Sequence, residues 1–181
     1  TWTLSGTTGT PFVKTGTFTP NASTFIFSGN YTLGDTTIPA TTYWNLQINN
    51  ADETYAPASG TTTVNNDLTI TAGTLSSANS VTVNGGDVTG NGSINMSGGT
   101  FLVDGASATG FGGNTGWTFY DLTFGDGTGA TTTTSIGSGL VTVSNDMSVA
   151  ANQTLAGTKS FTVNGGDVTG NGSINMSGGT F

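Results

Sequence analysis

The 181 residues contain no cysteine, no histidine and no arginine, and the basic side chains are Lys14 and Lys159 alone. Without cysteine there are neither disulfides nor thiolate metal sites, and the redox compartment stays open. Two scattered lysines cannot neutralise a phosphate backbone, which excludes nucleic acid as a partner. No apolar run approaches the length of a membrane span, so membrane insertion is not expected. Ten acidic residues against two basic ones give a formal net charge of -8, yet charged residues make up just 7% of the chain. Leu, Ile, Val and Phe together supply about a fifth of it, at the edge where disorder begins. Such a chain must bury its few apolar residues very regularly or not fold. It opens Thr1-Trp2-Thr3, with neither an initiator Met nor a signal peptide, and reads as a processed or excised piece of something larger.

What is present is Thr, Gly, Ser and Asn, the vocabulary of strand surfaces and tight turns. Leu68 and Ile70 bracket a Thr, as do Val81 and Val83, and Ile94 and Met96 bracket an Asn. These are short in-out-in strands of period two. Single apolar residues, Leu75, Val88 and Phe101, stand between them. The steps Leu68 to Val81 to Ile94 and Leu75 to Val88 to Phe101 are each thirteen residues. Asn84-Gly85-Gly86 and Gly90-Asn91-Gly92 separate the anchors, and no stretch has a helical period.

A longer period encloses this one. TVNGGDVTGNGSINMSGGTF fills Thr82–Phe101 and returns unchanged at Thr162–Phe181. Thr61–Phe101 matches Leu140–Phe181 with one inserted residue, and Tyr43–Ile48 matches Phe119–Phe124. Repetition on this scale marks a solenoid or array. The expected fold is therefore an all-β solenoid (β-helix) of short strands. Its organisation is a lead-in coil at 1–15, one repeat at 16–98 and a second at 99–181, forming one elongated domain. Sides of six or seven residues, three to a turn, give coils of about twenty residues, four to a repeat; nine coils stacked at roughly 4.8 Å would make a rod of about 43 Å. The alternative is a tandem of small β-sandwiches, whose strands usually run longer. A thirteen-residue lag fits a two-sided coil or two sides of a three-sided one.

The runs Gly9-Thr10-Pro11-Phe12-Val13, Gly16-Thr17-Phe18-Thr19-Pro20-Asn21, Thr42–Ile48 and Asn66–Ile70 resemble Thr/Gly-rich repeats of very large bacterial surface proteins. Adhesins with β-helical passengers, as in autotransporters, are comparable in architecture. The resemblance covers nearly the whole chain and implies an exported, elongated, extracellular or cell-surface protein. Its motifs specify a scaffold, so no catalytic, cofactor-binding or metal residue is carried over, and the expectation is a structural protein and not an enzyme.

Several residues are of the types that form sites. Asp52-Glu53, the one adjacent acidic pair, reads as part of a solvated loop, Asn49–Glu53. Asp87, Asp104, Asp126 and Asp167 sit in Gly/Asn-rich turns that could suit calcium. Gly85–Gly90 does not meet the glycine-rich calcium nonapeptide, and Asp is also a good turn residue. Thr69, Thr82, Thr142 and Thr162 form an outward set that could bind ice or glycan, interrupted by Gln47, Asn95 and Ser148. Trp2, Tyr43, Trp44, Trp117, Phe119 and Tyr120 could stack on sugars, although Trp44 and Tyr120 occupy equivalent repeat positions, which favours packing. Triplets such as Asn21-Ala22-Ser23 and Asn30-Tyr31-Thr32 leave glycosylation open. A solenoid coil has open strand edges at both ends, and neither end here reads as a cap. The expected partner is thus an adjacent repeat or another copy stacked end to end, building a filament or stalk. The alternatives are a ligand-binding passenger module for surface glycans, ice or calcium, and a phage-fibre fragment.

Overall fold

The computed structural model describes residues 1–105 and 109–181, and all regular elements among the described residues are strands. The chain winds over three faces in rotation. β1 (Trp2–Leu4) and β2 (Thr24–Phe27) lie on the first face, β3 (Thr36–Ile38) on the second and β4 (Thr42–Tyr43) on the third. β5 (Asn45–Pro57) runs along the first face and bends onto the second, and β6 (Thr62–Val64) takes the third. β7 (Leu68–Ser77) repeats that bend before β8 (Val81–Val83). Each face then has its own short strand: β9 (Val88–Thr89), β10 (Ser93–Met96) and β11 (Thr100–Val103). The next turns are β12 (Thr109–Gly112), β13 (Trp117–Phe119) and β14 (Asp121–Phe124), then β15 (Thr131–Ser135), β16 (Val141–Val143) and β17 (Met147–Val149). β18 (Gln153–Gly157), β19 (Phe161–Val163) and β20 (Val168–Thr169) follow, and β21 (Ser173–Met176) returns to the first face.

The strand pairs are parallel, with partners 19 residues apart at the closest (Leu155 beside Ile174) and 25 at the widest (Leu122 beside Met147). This is a three-sided β-solenoid, and tandem sandwiches are excluded. Leu68, Val81 and Ile94 stand on the first, third and second faces, so thirteen residues is two sides of a three-sided coil. The first face stacks nine strands in eight steps, a length of roughly 38 Å at the usual strand spacing.

The in-out-in triplets place their outer residues inside. Leu68, Ile70, Leu75, Val81, Val83, Val88, Ile94, Met96 and Phe101 all belong to the buried core. Coil length varies from step to step. The Val-lined step from Val64 to Val83 takes 19 residues, whereas that from Trp117 to Val141 takes 24. Phe111 lies in that wider section, its ring 5.1 Å from Phe124, 5.4 Å from Trp117 and 5.8 Å from Phe119. Corners are tight. Gly90 has φ +137°, and a Cβ there would collide with the Ile70 carbonyl oxygen one coil below.

The long middle coils alter how the repeats sit. The second copy was expected four whole coils above the first, on the same faces. Instead Val81-Thr82-Val83 is on the third face and its counterpart Phe161-Thr162-Val163 on the second. Val88-Thr89 is on the first face and Val168-Thr169 on the third; Ser93–Met96 is on the second and Ser173–Met176 on the first. The repeat therefore spans eleven faces and not twelve, and its second copy is turned back by one face. Each face asks the same thing of a sequence, an apolar pair around a polar residue followed by a Gly/Asn corner, so one sequence fits any of the three.

Candidate interface at the coil ends

The duplicated twenty residues are an internal control on what a covering coil does. In the first copy Val88, Ile94 and Phe101 are 0%, 1% and 0% exposed, because β12, β13 and β14 stack on them. In the second copy Val168, Ile174 and Phe181 are 45%, 41% and 53% exposed. The sequence is identical and the difference is the coil above. The last strands thus carry apolar side chains that the fold buries wherever a further coil follows. At the opposite end the lead-in does more than expected. Phe12 and Phe18 fold back onto Phe25, with ring centroids 5.6 and 5.1 Å away, and close part of the core. β1 remains uncovered on the first face, with Trp2 61% exposed and stacked on Phe25 at 5.8 Å.

Corner side chains tie one coil to the next. Asp67 N–H donates to Asn45 Oδ1 (3.1 Å), Asp87 N–H to Asp67 Oδ1 (3.0 Å) and Gly110 N–H to Asp87 Oδ1 (2.7 Å). One face earlier in the second repeat, Asp146 N–H donates to Asp121 Oδ1 (3.2 Å) and Asp167 N–H to Asp146 Oδ1 (2.9 Å). Asp126 N–H likewise donates to Asp104 Oδ1 at 3.1 Å. Of the four aspartates in the calcium reading, Asp104 and Asp126 are stacked one coil apart at one corner and Asp167 stands at another, each engaged in backbone ladders. Among the described residues no three acidic side chains are grouped to hold a metal. Burial raises the Asp104 carboxyl, with Asp126 adding like charge, whereas hydrogen bonds from Thr128 hold Asp126 down. A hollow of about 260 Å³ beside Asp104 is lined otherwise by Asn84, Thr128, Thr131 and small residues.

Two charged residues are buried, and for Glu53 this departs from the solvated loop expected. Glu53 is 5% exposed, because β5 carries it inward, and its carboxylate accepts the N–H groups of Tyr31 (2.6 Å) and Thr36 (2.9 Å). The exposed residues of Asn49–Glu53 are Asn49, Ala51 and Asp52. Lys159 is 1% exposed; its Nζ donates to Gly113 O at 2.7 Å and stands 5.8 Å from the Trp117 ring centre. Desolvation lowers its pKa to about 8. Its counterpart Asn79 donates to a carbonyl one coil below, that of Pro57, whereas Lys159 reaches two coils down to Gly113.

The outward threonines do not share one column. Thr69 is on the first face, Thr82 on the third, and Thr142 and Thr162 on the second; thirteen residues part the first two by two sides, and the one-face turn parts Thr162 from its counterpart Thr82. A different hydroxyl ladder runs up the third face, through Thr42, Thr63, Thr82, Thr123, Ser148 and Thr169, interrupted by Leu102. Tyr43, Trp117 and Phe119 are buried and cannot stack on sugars. Trp44 and Tyr120 are 37% and 39% exposed, in matching surroundings at different corners: the carbonyl of each accepts an Asn N–H at 2.9 Å. No family model, curated protein or solved structure matches the chain.

Proposed function

We propose that the chain is a segment of an extracellular filament or surface stalk, whose work is mechanical and whose binding sites are its coil ends. The supporting observation is the pair of identical segments, one buried under a covering coil and one exposed. Along the axis each coil offers a parallel backbone ladder, an apolar floor and a corner carboxylate. Any further coil of the same design satisfies all three. The Thr/Gly-rich likeness to bacterial surface repeats is in keeping with such a role.

Electron microscopy of the purified chain over a concentration series, with and without calcium, tests the proposal. Fibres a few nanometres wide that lengthen with concentration are expected, independent of calcium. Stable single rods at every concentration would refute self-assembly through the coil ends.

A further inference from the structure

We infer that Asn84 and its counterpart Asn164 are modification sites, at which the folded chain converts asparagine to aspartate and isoaspartate without an enzyme. The chain has four Asn-Gly pairs: Asn84-Gly85 and Asn91-Gly92 in the first copy of the twenty residues, Asn164-Gly165 and Asn171-Gly172 in the second. A following glycine leaves the asparagine side chain free to reach the next backbone nitrogen. In the reaction that nitrogen gives up its proton and attacks Cγ of the asparagine. The new nitrogen–carbon bond closes a five-membered imide, the bond from Cγ to the side-chain nitrogen breaks, and ammonia leaves with the proton. Water then adds to either imide carbonyl. The ring opens to aspartate, or to isoaspartate, in which the main chain runs through the side-chain methylene.

The fold separates the pairs. Gly92 N–H donates to Ile70 O at 2.7 Å and Gly172 N–H to Val149 O at 3.0 Å, in each case one coil below. A hydrogen bond made by the neutral amide disfavours loss of its proton. Gly92 is also buried, and its carbonyl accepts from Trp117 Nε1 at 3.0 Å and Thr115 Oγ1 at 2.5 Å. Asn91 Oδ1 is engaged by Asn114 Nδ2 at 3.2 Å.

Around Asn84 the ladder skips one amide. Asn84 N–H donates to Val64 O (2.8 Å), Gly86 N–H to Asn66 O (3.2 Å) and Asp87 N–H to Asp67 Oδ1 (3.0 Å). Gly85 N–H, between them, has no acceptor among the described residues. In the second copy Asn164 N–H and Asp167 N–H donate likewise, to Val143 O and Asp146 Oδ1, and Gly165 N–H again has no acceptor among the described residues. Asn84 is exposed beside the Asp104 hollow, with a bond of 3.3 Å from its Nδ2 to Asn65 Oδ1. The corner nevertheless demands glycine next to it. A Cβ on Gly85 would lie 2.4 Å from Asn65 O, and one on Gly165 2.1 Å from Ser144 O. The turn thus requires the residue that makes the asparagine reactive. Conversion adds a carboxylate to the corner of Asp67 and Asp87 and removes the Nδ2 donor to Asn65. This inference is independent of stacking, because the contacts that tell Asn84 from Asn91 lie within one chain.

Peptide mass spectrometry tests it, on the chain aged folded in mildly alkaline buffer and, in parallel, unfolded in urea. Peptides carrying Val81 or Phe161 tell Asn84 from Asn164, and fragmentation locates the site within each. In the unfolded chain Asn84 and Asn91 should convert at comparable rates, since both precede glycine. In the folded chain Asn91 should fall at least tenfold below Asn84 and Asn164. Each reacting site should give two products of equal mass, the aspartate and isoaspartate peptides, which chromatography resolves. Equal rates at Asn84 and Asn91 in the folded chain, or aspartate as the sole product, would overturn the inference.

Discussion

At the scale of single residues, the buried ionisable groups set how stability follows pH. An unfolded lysine titrates near 10.5, whereas Lys159 in the folded chain titrates near 8 because it is desolvated. Between those values the unfolded chain holds more protons than the folded one, so stability rises with pH across that window. Tyrosines act in the opposite sense. Burial pushes Tyr43 up, and burial with the neighbouring Glu53 pushes Tyr55 to about 12. Above pH 10 the unfolded chain therefore loses protons first, and stability falls. The expected profile of melting temperature climbs from pH 8, peaks near pH 10 and then declines. In Lys159→Met the climb should vanish and the alkaline decline persist. Melting curves over pH 7–11 decide it, with each kcal/mol worth about 2–4 °C for a domain of this size. A climb of equal size in the variant would show that Lys159 does not carry the effect.

At the scale of strands and corners, the Asn/Asp ladder trades a hydrogen bond against stacked like charge. Asp87 accepts from Gly110 N–H and lies one coil above Asp67. Asp87→Asn keeps the acceptor and removes the repulsion, so it should be neutral or slightly stabilising at low salt. Asp87→Ala should cost about 0.5–1.5 kcal/mol, the net value of one such bond. Chemical denaturation of both variants measures this, and an equal loss in each would mean that charge, not the acceptor, matters. The ladder was legible in the sequence only in hindsight: Asn45, Asp67 and Asp87 recur at about the coil length, which has to be known first. The core was legible directly, because Leu68–Ile70 and Val81–Val83 alternate with period two and Gly/Asn clusters bound them. Glu53 and Lys159 were not, since nothing local tells an inward charge from an outward one. The one-face turn was hidden too. It arises from extra corner residues such as Gly125–Ala130, whose number the alternation leaves unconstrained.

At the scale of the molecule, a solenoid is nearly one-dimensional, and its local stability is set by whether both axial neighbours are present. The duplicated segment makes that measurable within one chain. Amides in Thr82–Phe101 and Thr162–Phe181 share the same intrinsic chemistry, since the sequences are identical. One set is roofed by β12 to β14, while the other has Val168, Ile174 and Phe181 exposed. Proteolytic peptides from within the two segments also have the same mass, so hydrogen exchange reads both in a single isotope envelope. In dilute monomer that envelope should split into two equal populations, one protected and one exchanging far faster. A peptide outside the repeat, such as one from Thr62–Ser77, should remain a single population. As concentration rises into the assembling range, a coil stacked on the last one would supply the missing roof. The fast population should then slow toward the other. An envelope that stays split while fibres form would place the contact elsewhere. One that never splits would mean the last coil holds its ladder without a neighbour, and stacking would then have little free energy to gain from covering it.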